Sequence, residues 1–290
     1  MTLKPSEFIL NEDGSIYHLN LTPNQLASIV ITVGDPDRVS HVTKHFDTIE
    51  HKVHKREFHT QTGTYKGKRI SVISTGIGTD NIDIVFNELD ALVNIDFETR
   101  KVKEKLTSLD IIRIGTSGSI QADIPIDAFL VSETAIGFDS LLHFYKNKDI
   151  QDIKFSESLL GHLILPRENG IPYVINADTT LLSYFEKDYV KGITVTNCGF
   201  YGPQGRVLRL PLSNPNLNDR MASFNHLDRR ITNLEMETAG IYGLSKLLGH
   251  RAVSLNAIVA NRATGEFSKD PKGTVDKMIV DALNKIARIE

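Results

Sequence analysis

Ile29-Val30-Ile31-Thr32-Val33-Gly34-Asp35-Pro36-Asp37-Arg38 decides the fold class. Five β-branched residues in succession make a strand covered on both faces, because a strand with one wet face would alternate with polar residues. Asp35 suits a helix N-cap and Pro36 the first helical position, so a helix opens where the strand ends. The same rhythm continues outward. Short apolar runs bounded by Gly, Asp or Asn recur at 70–74, 111–114, 129–132, 173–176, 193–196 and 252–259, and each predicts a strand. Helical spacing over 36–45, 81–93, 155–165, 239–248 and 275–288 predicts helices between them. Strands alternating with helices predict a single α/β layer structure around one mainly parallel sheet. No linker, repeat or low-complexity tract divides the chain, so residues 1–290 read as one domain.

The 290 residues carry 33 Lys and Arg against 36 Asp and Glu, a formal net charge of −3. That balance argues against a nucleic-acid or anionic-membrane binder, which draws its affinity from clustered surplus cations. With 40% hydrophobic and 24% charged residues, the chain reads as an ordinary globular protein. No run reaches the roughly 18 apolar residues of a membrane-spanning helix, and the first residues carry no apolar targeting segment. The single cysteine, Cys198, cannot pair internally, which points to a reducing cytoplasm; it is expected to pack in the core. Lys101, Lys103, Glu104 and Lys105 read as a solvated helix end, and 213–219, rich in Asn and Pro, as a surface loop. His41 and His45 stand at helical spacing without a third partner, so no catalytic metal is assigned.

Five motifs carry chemistry. At 33–38 the helix start would attract an anion, Gly34 would let it approach the backbone, and Arg38 adds a guanidinium suited to phosphate. Ser74-Thr75-Gly76-Ile77-Gly78 offers two glycines at a strand end, which fits a close approach or a plain tight turn equally well. In Arg113-Ile114-Gly115-Thr116-Ser117-Gly118-Ser119 an arginine interrupts an apolar strand. Such a buried cation needs a carboxylate or a bound anion as partner, and ligands of α/β sheets sit at the strand ends where Arg113 and Thr116 would lie. Glu235-Met236-Glu237 precedes a helix; one acid could cap it, or the pair could hold a vicinal diol while Met236 packs on a ring face. Phe200-Tyr201-Gly202-Pro203-Gln204-Gly205-Arg206 supplies an aromatic face, an amide and a guanidinium, a set able to read a planar heterocycle.

In order and spacing, from about Tyr17 to the C-terminal helix, these motifs resemble the uridine phosphorylases of the nucleoside phosphorylase superfamily. The resemblance implies an α/β, single-domain three-layer sandwich around a mixed, mainly parallel central sheet. It implies that Gly34, Arg38, Arg113 and Thr116 surround inorganic phosphate, with Arg56 donated by a neighbouring subunit. Glu235, Met236 and Glu237 would hold the ribose, and His18, beside Tyr17, would reach its 5′-hydroxyl across a dimer interface. Gln204 and Arg206 would bind the uracil edge, Phe200 would stack on base or sugar, and Arg262 would reach the uracil end through water. Glu57 and Ser74 match positions that hold a structural potassium ion between subunits in some members. No other cofactor is implied, phosphate being a co-substrate.

The purine enzymes of the superfamily carry an acid shortly before an arginine, whereas Ala257-Ile258-Val259-Ala260-Asn261-Arg262 has none, which points to a pyrimidine. Two departures from the family pattern stand out. Thr79-Asp80-Asn81 replaces the usual residues after Gly78, and about 94–108 reads as an insertion, either a longer helix or a surface excursion. The implied activity is a pentosyltransferase: phosphorolysis of uridine in a cytoplasmic dimer or hexamer, within nucleoside catabolism and pyrimidine salvage, with Arg113, Arg206 and Glu237 as its catalytic residues. A purine phosphorylase or nucleosidase on the same fold, or a silent nucleoside-binding module, is the alternative.

Overall fold

The strand and helix expected from 29–38 form as read. β1 (Ile29–Val33) is buried throughout, and α1 (Pro36–Thr43) opens at Pro36 with Asp35 Oδ1 accepting the Asp37 N–H at 2.9 Å. A computed structural model describes residues 2–166 and 169–289. After α1 the chain makes a meander of β2 (Thr48–Lys55), β3 (Phe58–Tyr65) and β4 (Lys68–Ser74), then α2 (Thr79–Asn94). A small hairpin, β5 (Ile95–Asp96) and β6 (Lys101–Val102), leads to β7 (Asp110–Ser119) and β8 (Phe129–Gly137). There follow α3 (Ile153–Leu163), β9 (Tyr173–Asn176), α4 (Thr179–Ser183), β10 (Val190–Thr196) and α5 (Leu217–Ser223). The last third holds β11 (Asn225–His226), β12 (Arg229–Glu235), α6 (Thr238–Leu248), β13 (Arg251–Asn261), β14 (Glu266–Phe267) and α7 (Pro271–Ile286).

Twelve strands form one mixed sheet in the order β11-β12-β10-β8-β13-β7-β1-β4-β3-β2, with β14 beside β13 and β9 beside β8. The pairs β4–β1, β1–β7, β7–β13, β8–β10 and β10–β12 are parallel, and antiparallel pairing appears at the edges and at β13–β8. β12 also meets β7, through Asn233 opposite Ser119 and Leu234 opposite Gly118. That extra pairing closes β7, β13, β8, β10 and β12 into a ring. Register shifts at Gly192/Ile193 in β10 and Ile258/Ala260 in β13 supply the bends that closure needs.

Helices cover both faces of the sheet. Ile82, Val85, Phe86 and Leu89 of α2 pack with Ile241 and Leu244 of α6 on one side. Val39 and Val42 of α1 pack with Met278, Ile279 and Leu283 of α7 on the other. A third cluster, Phe155 and Leu159 of α3 with Met221 of α5 and Phe224 just after it, seals the flank of the ring. Each such fully buried side chain contributes about 2 kcal/mol of transfer free energy, so the helices are held by packing rather than by propensity. Among the described residues no helix is long and apolar enough to cross a membrane.

Two sequence expectations need correction, and a third, left open between a longer helix and a surface excursion, takes the second form. The loop expected at 213–219 gives way to α5 from Leu217 onward. The charged residues 101–105 are not a helix end but the returning arm of the β5–β6 hairpin, where the Lys103 N–H donates to the Asn94 carbonyl at 2.8 Å and Lys103 Nζ to that of Val93 at 2.9 Å. They dock on the C-terminus of α2, whose last carbonyls lack helical partners. At 94–108 the excursion is this hairpin, tightened by Asp96 Oδ1 accepting from the Thr99 N–H and hydroxyl.

Candidate active site

β1, β4 and β7 run parallel; β1 and β4 end side by side and β7 continues past them, which brings Gly34, Gly76 and Thr116 to the wall of one cavity of about 640 Å³. Arg38, one turn into α1, reaches the same wall, its Nη1 3.4 Å from the Ile114 carbonyl. It is half-buried and, among the described residues, has no carboxylate within ion-pair distance. Burial and the neighbouring Arg113 charge lower its pKa. A cation short of countercharge at a helix N-terminus is a place for an anion.

Arg113 is a different case. Its Nη2 donates to Glu237 Oε2 at 2.6 Å and lies 3.1 Å from Glu235 Oε2, while Nη1 donates to Asn256 Oδ1 at 3.0 Å. Burial opposes its charged form, but Glu235 and Glu237 outweigh that and raise its pKa. Of the two partners expected for Arg113, a carboxylate or a bound anion, the structure shows carboxylates, Glu235 and Glu237, and Arg113 lines the same cavity as Arg38, Gly34 and Thr116. Gly115 makes room for this, because a Cβ there would fall inside the Arg113 guanidinium.

The two acids also divide their labour. Glu235 accepts the Thr196 hydroxyl at 2.5 Å and the N–H groups of Glu237 and Thr238, both at 2.9 Å, so it caps α6. Burial, against the pull of Arg113, raises its pKa. Glu235 lines the cavity with its oxygens engaged by Thr196, the α6 N-terminus and Arg113. Glu237 accepts the Gly78 N–H on Oε1 at 3.0 Å and Arg113 on Oε2, and with half-buried Met236 it lines the cavity. Gly78 caps α2 at φ 97, a conformation only glycine takes cheaply. Behind it, the Thr79-Asp80-Asn81 departure places Asn81 on the cavity wall, tight against Gly76.

Phe200, Gln204 and Arg206 reach the cavity from the turn after β10. Arg206 Nη1 donates to Gln204 Oε1 at 2.6 Å and to the Phe200 carbonyl at 2.7 Å, and its guanidinium carbon sits 3.8 Å from the Phe200 ring centroid. This fixes the Gln204 amide with its oxygen toward Arg206 and its NH₂ free to donate. Burial, then Arg262, pulls the Arg206 pKa down to about 10, so the group stays charged at neutral pH. Arg262 does not line the cavity. It stands behind the turn, donating to the carbonyls of Gln204 at 3.1 Å and Gly205 at 3.3 Å, next to the residues expected at the base end.

His18 and Arg56 lie outside this chain's cavity. Arg56 is exposed at the β2–β3 tip with φ 55, its guanidinium 5.9 Å from the Tyr17 ring. Glu88 holds His18 Nδ1 at 2.7 Å and also accepts the His18 and Leu19 N–H groups. Tyr17, His18 and Arg56 thus form one surface patch. Ser74 Oγ is buried, donating to the Glu57 carbonyl at 2.6 Å and accepting from the His59 N–H at 2.7 Å. Glu57 and Ser74 accordingly do not converge as a cation cage within this chain. Cys198 is exposed, not in the core: β10 ends at Thr196, so residue 198 is already in the turn, on the wall of a second cavity of about 940 Å³.

Sequence reasoning missed Asn256, Ser254, Asn81 and Glu88. Asn256 interrupts an apolar strand just as Arg113 does, and that shared signal could have found it.

The phosphorylase superfamily's sequence model matches residues 28–289. A uridine phosphorylase of Thermococcus kodakarensis is 32% identical, over 89% of this chain and 82% of the relative. A DeoD-type purine nucleoside phosphorylase of Oceanobacillus iheyensis is 26% identical over 93% and 99%. Among solved structures, a Trypanosoma brucei nucleoside phosphorylase, described as showing uridine phosphorylase activity, superposes with a TM-score of 0.83 at 30% identity, covering 96% of this chain and 99% of that one.

Proposed function

This chain belongs to the phosphorylase superfamily, and we propose that it cleaves the N-glycosidic bond of uridine with inorganic phosphate, yielding uracil and ribose 1-phosphate. One observation carries the reading most: Arg38, a cation without a carboxylate partner among the described residues, shares a cavity with the Arg113–Glu237 pair and with the donors of Gln204 and Arg206. The volume of about 640 Å³ suits a nucleoside with an anion beside it.

Phosphate bound by Arg38, the first turn of α1 and the Thr116 hydroxyl would present an oxygen to C1′ of the sugar. As that oxygen approaches, the bond from C1′ to the base nitrogen breaks and its electron pair passes into the pyrimidine ring. Positive charge grows on the sugar and negative charge on the base. Holding the attacker in place turns an encounter into an intramolecular-like step worth several kcal/mol. Glu237 would accept from the ribose hydroxyls, its position fixed by Arg113 and the Gly78 N–H. The free NH₂ of Gln204 and the remaining N–H groups of Arg206 would donate to the departing base. The stretch Ala257 to Arg262, where the purine enzymes carry their acid, has none, and with the Gln204 and Arg206 pair this favours a pyrimidine. Arg56 and His18 would enter a neighbour's cavity, making the working unit a homo-oligomer. The chemistry needs no metal and no covalent intermediate.

Uracil release from uridine, followed with and without inorganic phosphate, tests this. Phosphate-dependent release is expected. Equal release in its absence would indicate hydrolysis, and turnover of inosine alone a purine enzyme.

A further inference from the structure

The ring of strands β7, β13, β8, β10 and β12 encloses a circuit of buried polar side chains, one from each strand in turn. Arg113 Nη1 donates to Asn256 Oδ1 at 3.0 Å, and Asn256 Nδ2 donates to Ser132 Oγ at 3.1 Å. Ser132 Oγ lies 2.5 Å from Thr194 Oγ1, Thr194 donates to Asn233 Oδ1 at 2.9 Å, and Asn233 Nδ2 donates to Ser117 Oγ at 2.9 Å. Ser117 stands on β7 again, four residues beyond Arg113. Asn256, Ser132, Thr194 and Asn233 have no solvent exposure.

The circuit has one direction. Thr194 spends its proton on Asn233, so Ser132 must donate to Thr194, and Ser132 then accepts from the Asn256 NH₂. The Asn256 carbonyl is thereby forced toward Arg113. A buried amide in a low-dielectric core cannot turn over without breaking two hydrogen bonds at once. Arg113 is confined on its other sides by Ser254 Oγ at 3.4 Å, by the space over Gly115 and by the acids Glu235 and Glu237. The orientation of its guanidinium decides where Glu237 sits.

We propose that Asn256 is a positioning residue, which acts through Arg113 to place the Glu237 carboxylate against the ribose. This rests on the reading above that Glu237 binds ribose, and extends it to a residue that touches no substrate. Asn256→Leu keeps the bulk and removes the acceptor. The kcat for uridine is expected to fall about 10²-fold, as for a small misplacement of a catalytic group, while the KM for phosphate holds. Asn256→Asp keeps the acceptor but puts a third carboxylate beside one guanidinium. Its acid limb of kcat against pH is expected to move to higher pH, a shift that loss of packing alone would not produce. Thr194→Val, two hydrogen bonds beyond Asn256, is expected to lower kcat in the same sense but less, and serves if Asn256→Leu does not fold. Crystal structures of the folded variants read the geometry directly: retention of the 2.6 Å Arg113–Glu237 bond together with wild-type kcat and pH profile overturns the proposal. If the wild-type enzyme releases no uracil in phosphate, the functional reading fails instead, and the position of Arg113 in the Asn256 variants still decides this one.

Discussion

Arg113 and Arg56 show two ways in which a fold can hold a cation. Arg113 is buried, and both Nη nitrogens have partners in this chain: Glu235, Glu237, Asn256 and Ser254. Arg56 stands exposed on a hairpin tip in a left-handed conformation, φ 55, with an aromatic ring nearby and, among the described residues, no acid within ion-pair distance. One is partnered by its own fold, while the other, under the proposed function, serves a neighbouring chain. The contrast teaches that stability and activity need not respond together. Substitution at Arg113 should damage both, and substitution at Arg56 only one.

The largest effect is expected from Arg113→Ala. Removing the guanidinium strands two carboxylates in a buried site, which costs about 3–5 kcal/mol in stability, and it frees Glu237, so phosphorolysis should fall below detection. Arg38→Ala, whose cation has no acid partner among the described residues, should lose activity by 10²-fold or more, on the scale of a lost preorganised donor, with little change in stability. Urea unfolding and initial rates on the two variants, side by side, check this. Equal stability losses would erase the distinction between a paired and an unpaired arginine.

Arg56→Gly sharpens the comparison from the other side. Glycine accepts φ 55 without the roughly 1 kcal/mol that a side chain costs there, so the variant should unfold no more easily than wild type. Its activity should nonetheless drop by about 10²-fold. Because the residue would serve a neighbour's cavity, co-refolding Arg56→Gly chains with Arg38→Ala chains should restore part of the activity, each mixed pair holding one intact site. Absence of any complementation would confine Arg56 to its own chain.

What the sequence disclosed follows the same division. Strands buried on both faces, such as Ile29–Val33 and Tyr173–Asn176, announce themselves by apolar runs, and Asp35-Pro36 marks a helix start unaided. The motifs that reach the cavity were legible because glycines and a lone arginine at strand ends have few other uses. β2, β3 and β12 were not legible. β2 is an exposed edge of polar residues, and β12 turns Thr232 and Asn233 into the polar interior of a closed ring, so neither shows the alternation that a half-buried strand would. Which acid supports the α6 N-terminus and which is held by Gly78 could not be read from Glu235-Met236-Glu237 either. The answer depends on Thr196 and Gly78, distant in sequence.

Glu237→Gln is a gentler break of the buried arrangement. The amide can still accept from the Gly78 N–H but loses the charge that holds Arg113. About 10–10²-fold in kcat/KM on uridine is expected, with a smaller loss on 2′-deoxyuridine if the 2′-hydroxyl is among its contacts. Identical losses on the two substrates would move Glu237 off that hydroxyl.

The smallest expected effect lies beside the second cavity, at Asp139, and it appears in stability rather than rate. Tyr173 donates to both carboxylate oxygens, at 2.7 and 2.8 Å, and the Leu141 N–H donates to Oδ1 at 2.9 Å, yet burial outweighs these bonds and raises the Asp139 pKa. The folded chain therefore holds this proton more tightly than the unfolded chain, whose aspartate titrates near about 3.9. Stability from this group is present below that value and is lost as pH rises through the raised folded pKa. Asp139→Asn cannot ionise, so its melting temperature relative to wild type should climb between pH 4 and pH 8, by a few degrees at most. Calorimetric scans across that range measure the difference. A relative melting temperature that falls with pH would mean that the hydrogen bonds from Tyr173 and Leu141, not burial, govern the carboxyl.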